Sequence, residues 1–216
     1  LTSEWEHFKW GPVAGSSAVP SLVDENGHFF ATTAELLDNG VRLVEVEREL
    51  RAQIARAKRA GLEIDYFDYH MLAALATPEL QALVEELAKE HGVGLSRYFG
   101  EPSATLWEVE PDQKLAVLLD IVARAEVGET TLLVTHLGTE TPEMEALVDV
   151  NNERDPYRVA VHRKAELEAI TSPALARALA TRGIELVTYR DLVARHGLAA
   201  MKPPTSVGYS IEAPDE

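Results

Sequence analysis

The chain has 216 residues, 46% of them hydrophobic, which is ample for a buried core and suits one large domain or two small ones. With 36 acidic against 20 basic side chains the formal charge is -16, which disfavours phosphate backbones and anionic membrane surfaces as partners and favours a neutral or polar ligand. The absence of cysteine excludes disulfides, zinc-thiolate sites and thiol nucleophiles, and no stretch nears the ~20 apolar residues of a membrane helix, so a soluble cytoplasmic protein is expected.

Residues 1 to 31 interleave Gly11, Pro12, Gly15 and Pro20 with Trp5, Phe8 and Trp10, which predicts an ordered, functional loop rather than a linker. The chain opens on Leu1 inside this dense aromatic stretch, and upstream residues are expected to be missing. From Thr32 the pattern turns helical. Val41, Val44, Val46, Leu50, Ile54 and Ala57 predict one side of a long helix that Gly61 ends. Its Glu45, Glu47 and Glu49, with Arg48 and Arg51, read as a solvated face with supporting ion pairs. "LEIDYFDYHML" follows and reads as a buried strand. Thr77 and Gly92 then bracket a second helix as N-cap and stop. "VGLSRYFG" predicts a short strand and "EPDQKLAVLLDIVARAEVG" a third helix. "ETTLLVTHLG", apolar and rich in threonine, predicts a buried strand ending in His136 and Gly138. After it come a capped helix in "SPALARALATRG", a strand in "IELVTY" and a final short helix from Arg190.

Strands alternating with helices predict parallel βα units, hence an α/β sheet or barrel forming a single domain over 1–216. In such folds the active site lies at the carboxyl ends of the strands, where His70 and His136 fall, so the two can converge. Asp68 and His70, two apart on a strand, share a face. They read either as a hydrogen-bonded polar pair at a strand end or as oxygen and nitrogen donors for a divalent ion. His136 reads either as a satisfied strand-end histidine or as a second functional imidazole, with Gly138 admitting a ligand close to the backbone. His7, His28, His91, His162 and His196 read as surface residues. "GPVAGSS" lacks the lysine of a Walker loop, and no G-x-S-x-G elbow occurs.

"LTSEWEHFKWGPV", "VPSLVDENGHFF", "EVERELRAQIARAKRAGLEIDYFDYHM", "LLVTHLG" and "GIELVTYRDL" together resemble the YdjC-like carbohydrate deacetylases of ChbG and HpnK type, in the family's order from Leu1 to about Leu192. The resemblance implies a (β/α) barrel-like α/β fold, irregular in places, whose first strands lie upstream of this chain. It implies a metal-dependent hydrolase that removes an N-acetyl group from an amino-sugar or oligosaccharide by cleaving a linear amide C–N bond. The divalent metal, magnesium or zinc, is held in the family by an Asp of an early Asp-Asp pair and by histidines of a "HLTLTSEW"-like and a "HLDSHM"-like segment. Only the last is present here, as His70 in "YFDYHM".

By the same resemblance Asp68 is expected to orient His70 or the water, His136 to protonate the leaving amine, and an upstream Asp to act as general base. Trp5, Trp10, Arg97 and Arg163 are expected sugar contacts, through ring stacking and guanidinium hydrogen bonds. Two positions depart from the pattern: Leu137 replaces the proline of "THPG", and Tyr69 replaces the Ser between Asp and His. Leu137 is expected to loosen the turn that aims His136, while Tyr69 faces away and matters little. The expected partner is an N-acetylated carbohydrate, not nucleic acid or membrane, and a homodimer is compatible with the sequence. The competing reading is a non-catalytic barrel fragment, a pseudoenzyme that binds a carbohydrate or a partner subunit.

Overall fold

The structure is a computed structural model that describes residues 1–4, 6–150 and 152–204. They group into two compact units, one of residues 1–99 together with the segment from Thr188, the other of residues 100–187.

In the first unit, the loop of residues 1–31 holds its shape with two 3-10 turns, Ser16–Ala18 and Pro20–Leu22, and a few long-range backbone bonds. Ser3 N–H donates to the Phe30 carbonyl at 2.8 Å, Phe29 N–H donates to the Trp10 carbonyl at 2.9 Å, and Val23 bridges antiparallel to Phe29. Helix α1 (Thr33–Asp38) begins at a capping box in which Thr32 and Glu35 satisfy each other's backbone N–H. Helix α2 (Leu43–Arg59) is the long helix the spacing predicts, and Gly61 beyond its end takes φ +82°. Val46 is fully buried while Val44 is exposed, because residues two apart on a helix lie on nearly opposite faces.

Glu45 and Glu49 correct the solvated face expected of them, since both are buried. The Glu49 carboxylate accepts the backbone N–H groups of Val13 at 2.9 Å and Ala14 at 2.8 Å, and the Gln53 amide at 2.7 Å. Glu45 accepts Ser21 N–H at 2.7 Å and the Arg42 guanidinium at 2.8 Å. Four residues apart, the two carboxylates share one helix face and supply acceptors that the loop's backbone lacks. Glu47 keeps to the surface, paired with Arg51 at 2.8 Å.

Strand β1 (Tyr66–Phe67) pairs parallel with β2 (Gly94–Leu95). "LEIDYFDYHML" is therefore mostly irregular and Tyr66 is exposed, because a two-residue ladder with one neighbour leaves the flanks uncovered. Between these strands, α3 (Pro78–His91) starts where the Thr77 hydroxyl accepts Leu80 N–H at 3.3 Å and stops at Gly92 in the left-handed region. Its Leu80, Leu83 and Leu87 join a core with Val19, Leu22, Phe29 and Leu36, while its Val84 and Ala88 join a second core with Tyr69, Leu95 and Tyr98. One helix thus walls two cores.

In the second unit, β3 (Ser103–Thr105), α4 (Lys114–Arg124) and β4 (Leu132–Val134) make a parallel βα unit, followed by α5 (Pro142–Glu145), α6 (Arg158–Ile170) and α7 (Pro173–Arg182). Helix α4 packs on α6 and α7 around Leu106, Val109, Leu118, Val122, Ala169 and Leu175. Strand β4 is half-buried rather than the buried strand expected, having one paired neighbour. "IELVTY" forms no strand among the described residues and Leu186 is 80% exposed: β propensity needs an edge to pair with. Thr188 then opens α8 (Tyr189–His196), part of the first unit, with a capping box to Asp191. Among the described residues the sheets are these two parallel pairs, a mixed α/β pattern with no closed ring of strands. No helix among them is long and apolar enough to cross a membrane.

Candidate active site

In the first unit Asp68 directly follows β1 and Ser96 directly follows β2, and the register Phe67 to Leu95 sets them side by side. The Ser96 hydroxyl donates to Asp68 Oδ1 at 2.6 Å, so Asp68 is held by Ser96 and not by His70. Tyr69 turns into the core with its hydroxyl 3.4 Å from the Ser96 carbonyl, and burial pushes its phenol far above the ordinary tyrosine value. Asp68 and His70 on either side are exposed, as alternation about the extended backbone of Tyr69 requires.

His70 Nε2 lies 3.1 Å from the Ser3 carbonyl. A carbonyl only accepts, so Nε2 carries the proton and Nδ1 keeps its lone pair. Ser3 is itself pinned, its hydroxyl donating to the Phe29 carbonyl at 2.8 Å. The Trp10 ring centre is 5.9 Å from that of His70. Immediately after His70, Met71 and Leu72 take φ +50° and +57°, a conformation costing non-glycine residues about 1–3 kcal/mol each, and Thr33 holds the turn by donating to the Met71 carbonyl at 3.1 Å. Arg97, an expected sugar contact, is buried with φ +68°, and its backbone N–H donates to the Tyr189 hydroxyl at 3.2 Å. Trp5 lies outside the described residues.

His70 fits a metal as a single ligand, because a ring nitrogen tied to a backbone carbonyl fixes the tautomer that leaves the other nitrogen open. Among the described residues no group of three or more His, Asp or Glu is placed to hold a metal ion, so they offer one imidazole and not a coordination set.

In the second unit His136 lies just past β4 and Trp107 just past β3, at the carboxyl ends of two paired parallel strands, with ring centres 5.2 Å apart, edge to face. Beneath them, Glu166 of α6 is fully buried. Its Oε2 accepts the His136 backbone N–H at 2.6 Å and lies 3.8 Å from His136 Nδ1, while its Oε1 accepts from the fully buried Lys114 ammonium at 3.1 Å. His162, one turn before Glu166, is buried rather than on the surface as its sequence setting suggested, and its Nδ1 lies 3.2 Å from the Trp107 carbonyl. Arg158, one turn earlier again, places its guanidinium 5.1 Å from the Trp107 ring centre. The spacing of Arg158, His162 and Glu166 by fours marks one face of α6, a signal the sequence carried and that helical periodicity could have exposed. Trp107 and Lys114 had no such local signature.

Gly138 serves packing rather than ligand access. A Cβ there would lie 2.9 Å from Met144 Cε and 3.1 Å from Arg163 Cβ, and Gly138 N–H donates to the Arg163 carbonyl at 3.3 Å. Arg163 therefore flanks the turn that carries His136, and Leu137 between them is exposed.

Burial opposes the charge on Glu166, yet the nearby His136 ring, the hydrogen bond from the His136 backbone N–H and the positive charge of Lys114 outweigh it, holding the carboxyl below its ordinary value. Burial lowers the Lys114 ammonium from its usual value against the pull of Glu166. Burial, reinforced by the charges of Lys114 and Arg158, also lowers His162. The arrangement is an ionised carboxylate under a half-exposed imidazole, walled by an indole.

The model of the YdjC-like protein family matches residues 1–181. The chain belongs to the YdjC-like family. Its YdjC-like relatives include proteins named carbohydrate deacetylase from Listeria welshimeri serovar 6b, 28% identical over 180 residues that cover 80% of this chain and 70% of that one, and from Geobacillus stearothermophilus, 29% identical over 181 residues covering 80% and 69%. In fold it is similar to the crystal structure of a candidate cellobiose-phosphate cleavage protein from Enterococcus faecalis V583, with a TM-score of 0.66, 24% identity, and coverage of 89% of this chain and 76% of that one. The YdjC-like match spans Asp68, His70, His136 and Glu166 alike.

Proposed function

We propose that this YdjC-like chain is a hydrolase that removes the N-acetyl group of an amino-sugar or oligosaccharide. The carbohydrate deacetylase names of its relatives support the substrate class. The observation that carries the chemistry is His136 at a strand's carboxyl end, 38% exposed and backed by the ionised Glu166.

Hydrolysis of the amide forms a bond from a water oxygen to the acetyl carbon, breaks the C–N bond and transfers a proton to the departing nitrogen, giving acetate and a free amine. His136 donates that proton. Asp68, fixed through Oδ1 by Ser96, orients the water with its remaining oxygen. Trp10 stacks on a pyranose face, and Arg163 donates to sugar hydroxyls. His70 would contribute one ligand to a divalent ion, magnesium or zinc, which would supply polarisation of the acetyl carbonyl.

The test is incubation of the protein with an N-acetylated chitooligosaccharide, measuring acetate and product amine. Equal yields of both support the reading. Binding of the oligosaccharide without acetate release would overturn it and leave a non-catalytic carbohydrate-binding protein.

A further inference from the structure

We propose that Glu166 is a positioning residue for His136: it holds a proton on Nδ1 and so makes Nε2 the nitrogen that exchanges protons with substrate. The catalytic meaning rests on the reading of His136 as the proton donor, while the protonation pattern itself is measured without it.

Oε2 of Glu166 faces both the backbone N–H and Nδ1 of the same residue, at 2.6 Å and 3.8 Å. An ionised carboxylate is acceptor-only, so a lone pair on Nδ1 would be repelled and an N–H attracted. Nδ1 is buried and has no hydrogen-bond partner among the described residues, so no other acceptor or donor competes for it. The ring as a whole is 38% exposed, and with Nδ1 buried that exposure belongs to the rest of the ring, which carries Nε2. The inward nitrogen is committed and the outward one is open.

A carboxyl this deeply buried would ordinarily be neutral. Lys114, itself fully buried, keeps it charged by closing on Oε1 at 3.1 Å. Around the imidazole, α4 brings Lys114 beyond the carboxylate, and α6 brings Arg158, His162 and Arg163 beside Trp107 and the Gly138 turn. Glu166 is the negative group set against Nδ1. It therefore favours a proton on Nδ1 and leaves Nε2 to exchange with substrate. In the step itself Nε2–H passes to the amine nitrogen as the C–N bond breaks, and the neutral ring returns with its proton on Nδ1.

The experiment is 15N NMR titration of histidine-labelled protein, with His136 assigned by the resonances lost in His136→Ala. In the parent protein neutral His136 is expected as the Nδ1–H tautomer. Glu166→Gln is expected to mix the tautomers, bringing the proton occupancies of Nδ1 and Nε2 close to each other. Because a lone buried lysine could unfold that variant, Lys114→Met/Glu166→Gln, which removes both charges, is measured beside it, with the same tautomer mixing expected. A 15N tautomer pattern identical to the parent in either folded variant would overturn the proposal. Deacetylation assays separate the two readings. If Glu166→Gln mixes the tautomers while His136→Ala keeps full turnover, the positioning stands and the donor role fails. If His136→Ala loses turnover while Glu166→Gln leaves the tautomer unchanged, the positioning fails and the donor role stands.

Discussion

Glu166 meets His136 twice, accepting its backbone N–H at 2.6 Å and facing its Nδ1 at 3.8 Å, across 30 residues of sequence. One buried carboxylate thereby ties the end of β4 to α6 and sets the electrostatic surroundings of the imidazole. Its partner Lys114 arrives from α4, so three elements of the second unit meet at this point.

Replacing His136 with Ala is expected to slow deacetylation by about 10²–10⁴, the usual worth of general acid help, while the protein still binds an N-acetylated oligosaccharide and keeps its metal content. Steady-state rates with calorimetric binding check this. Loss of metal together with activity would move His136 into a coordination shell.

His70→Ala is expected to lower the divalent metal carried by the protein without unfolding it, since the ring is exposed and its contacts are one hydrogen bond with the Ser3 carbonyl and the neighbouring Trp10 ring. Elemental analysis after buffer exchange reads the outcome. Unchanged metal content would remove His70 from the ligands.

Glu49→Ala strips the acceptors from the part-buried N–H groups of Val13 and Ala14, and a total cost of about 1–3 kcal/mol is expected. Glu47→Ala two positions away breaks a half-exposed pair with Arg51 and should cost about 0–1 kcal/mol. Urea denaturation of the two variants is expected to rank them in that order. Equal midpoints would return Glu49 to the solvated face.

Acid is expected to destabilise the protein in two stages. Both His162 and Glu166 have folded-state values lowered from their ordinary ones, 6.5 and 4.5. A group lowered on folding stabilises fully above its unfolded value, and that contribution is lost as pH falls through the folded one. The first decline therefore begins below pH 6.5 through His162 and the second below pH 4.5 through Glu166. Urea midpoints measured against pH should show both, and His162→Gln should flatten only the upper stage.

Gly138→Ala drives a methyl against Met144 Cε at 2.9 Å and Arg163 Cβ at 3.1 Å. A cost of about 1–3 kcal/mol is expected, and Met144→Ala in the same chain should recover part of it by clearing the nearer contact. Strictly additive losses in thermal melts would contradict this packing.

The sequence by itself determined what depends on neighbours a few residues apart. Thr77 and Gly92 bound α3 because a cap hydroxyl reaches an N–H three residues on and glycine alone turns left-handed without strain. Tyr69 faces inward between exposed Asp68 and His70 because alternate side chains of an extended chain point to opposite sides. Tertiary structure decided the fate of the charges and of the short strands. Glu45, Glu49 and Glu166 look like solvated helix residues until the fold brings Ser21, Val13, Ala14 and His136 against them, from 24 to 36 positions away. "IELVTY" has strand composition and no strand, because a β ladder exists only where another edge is presented to it. A carboxylate is worth burying only where unpaired backbone donors await it, and which donors those are is a property of the assembled fold.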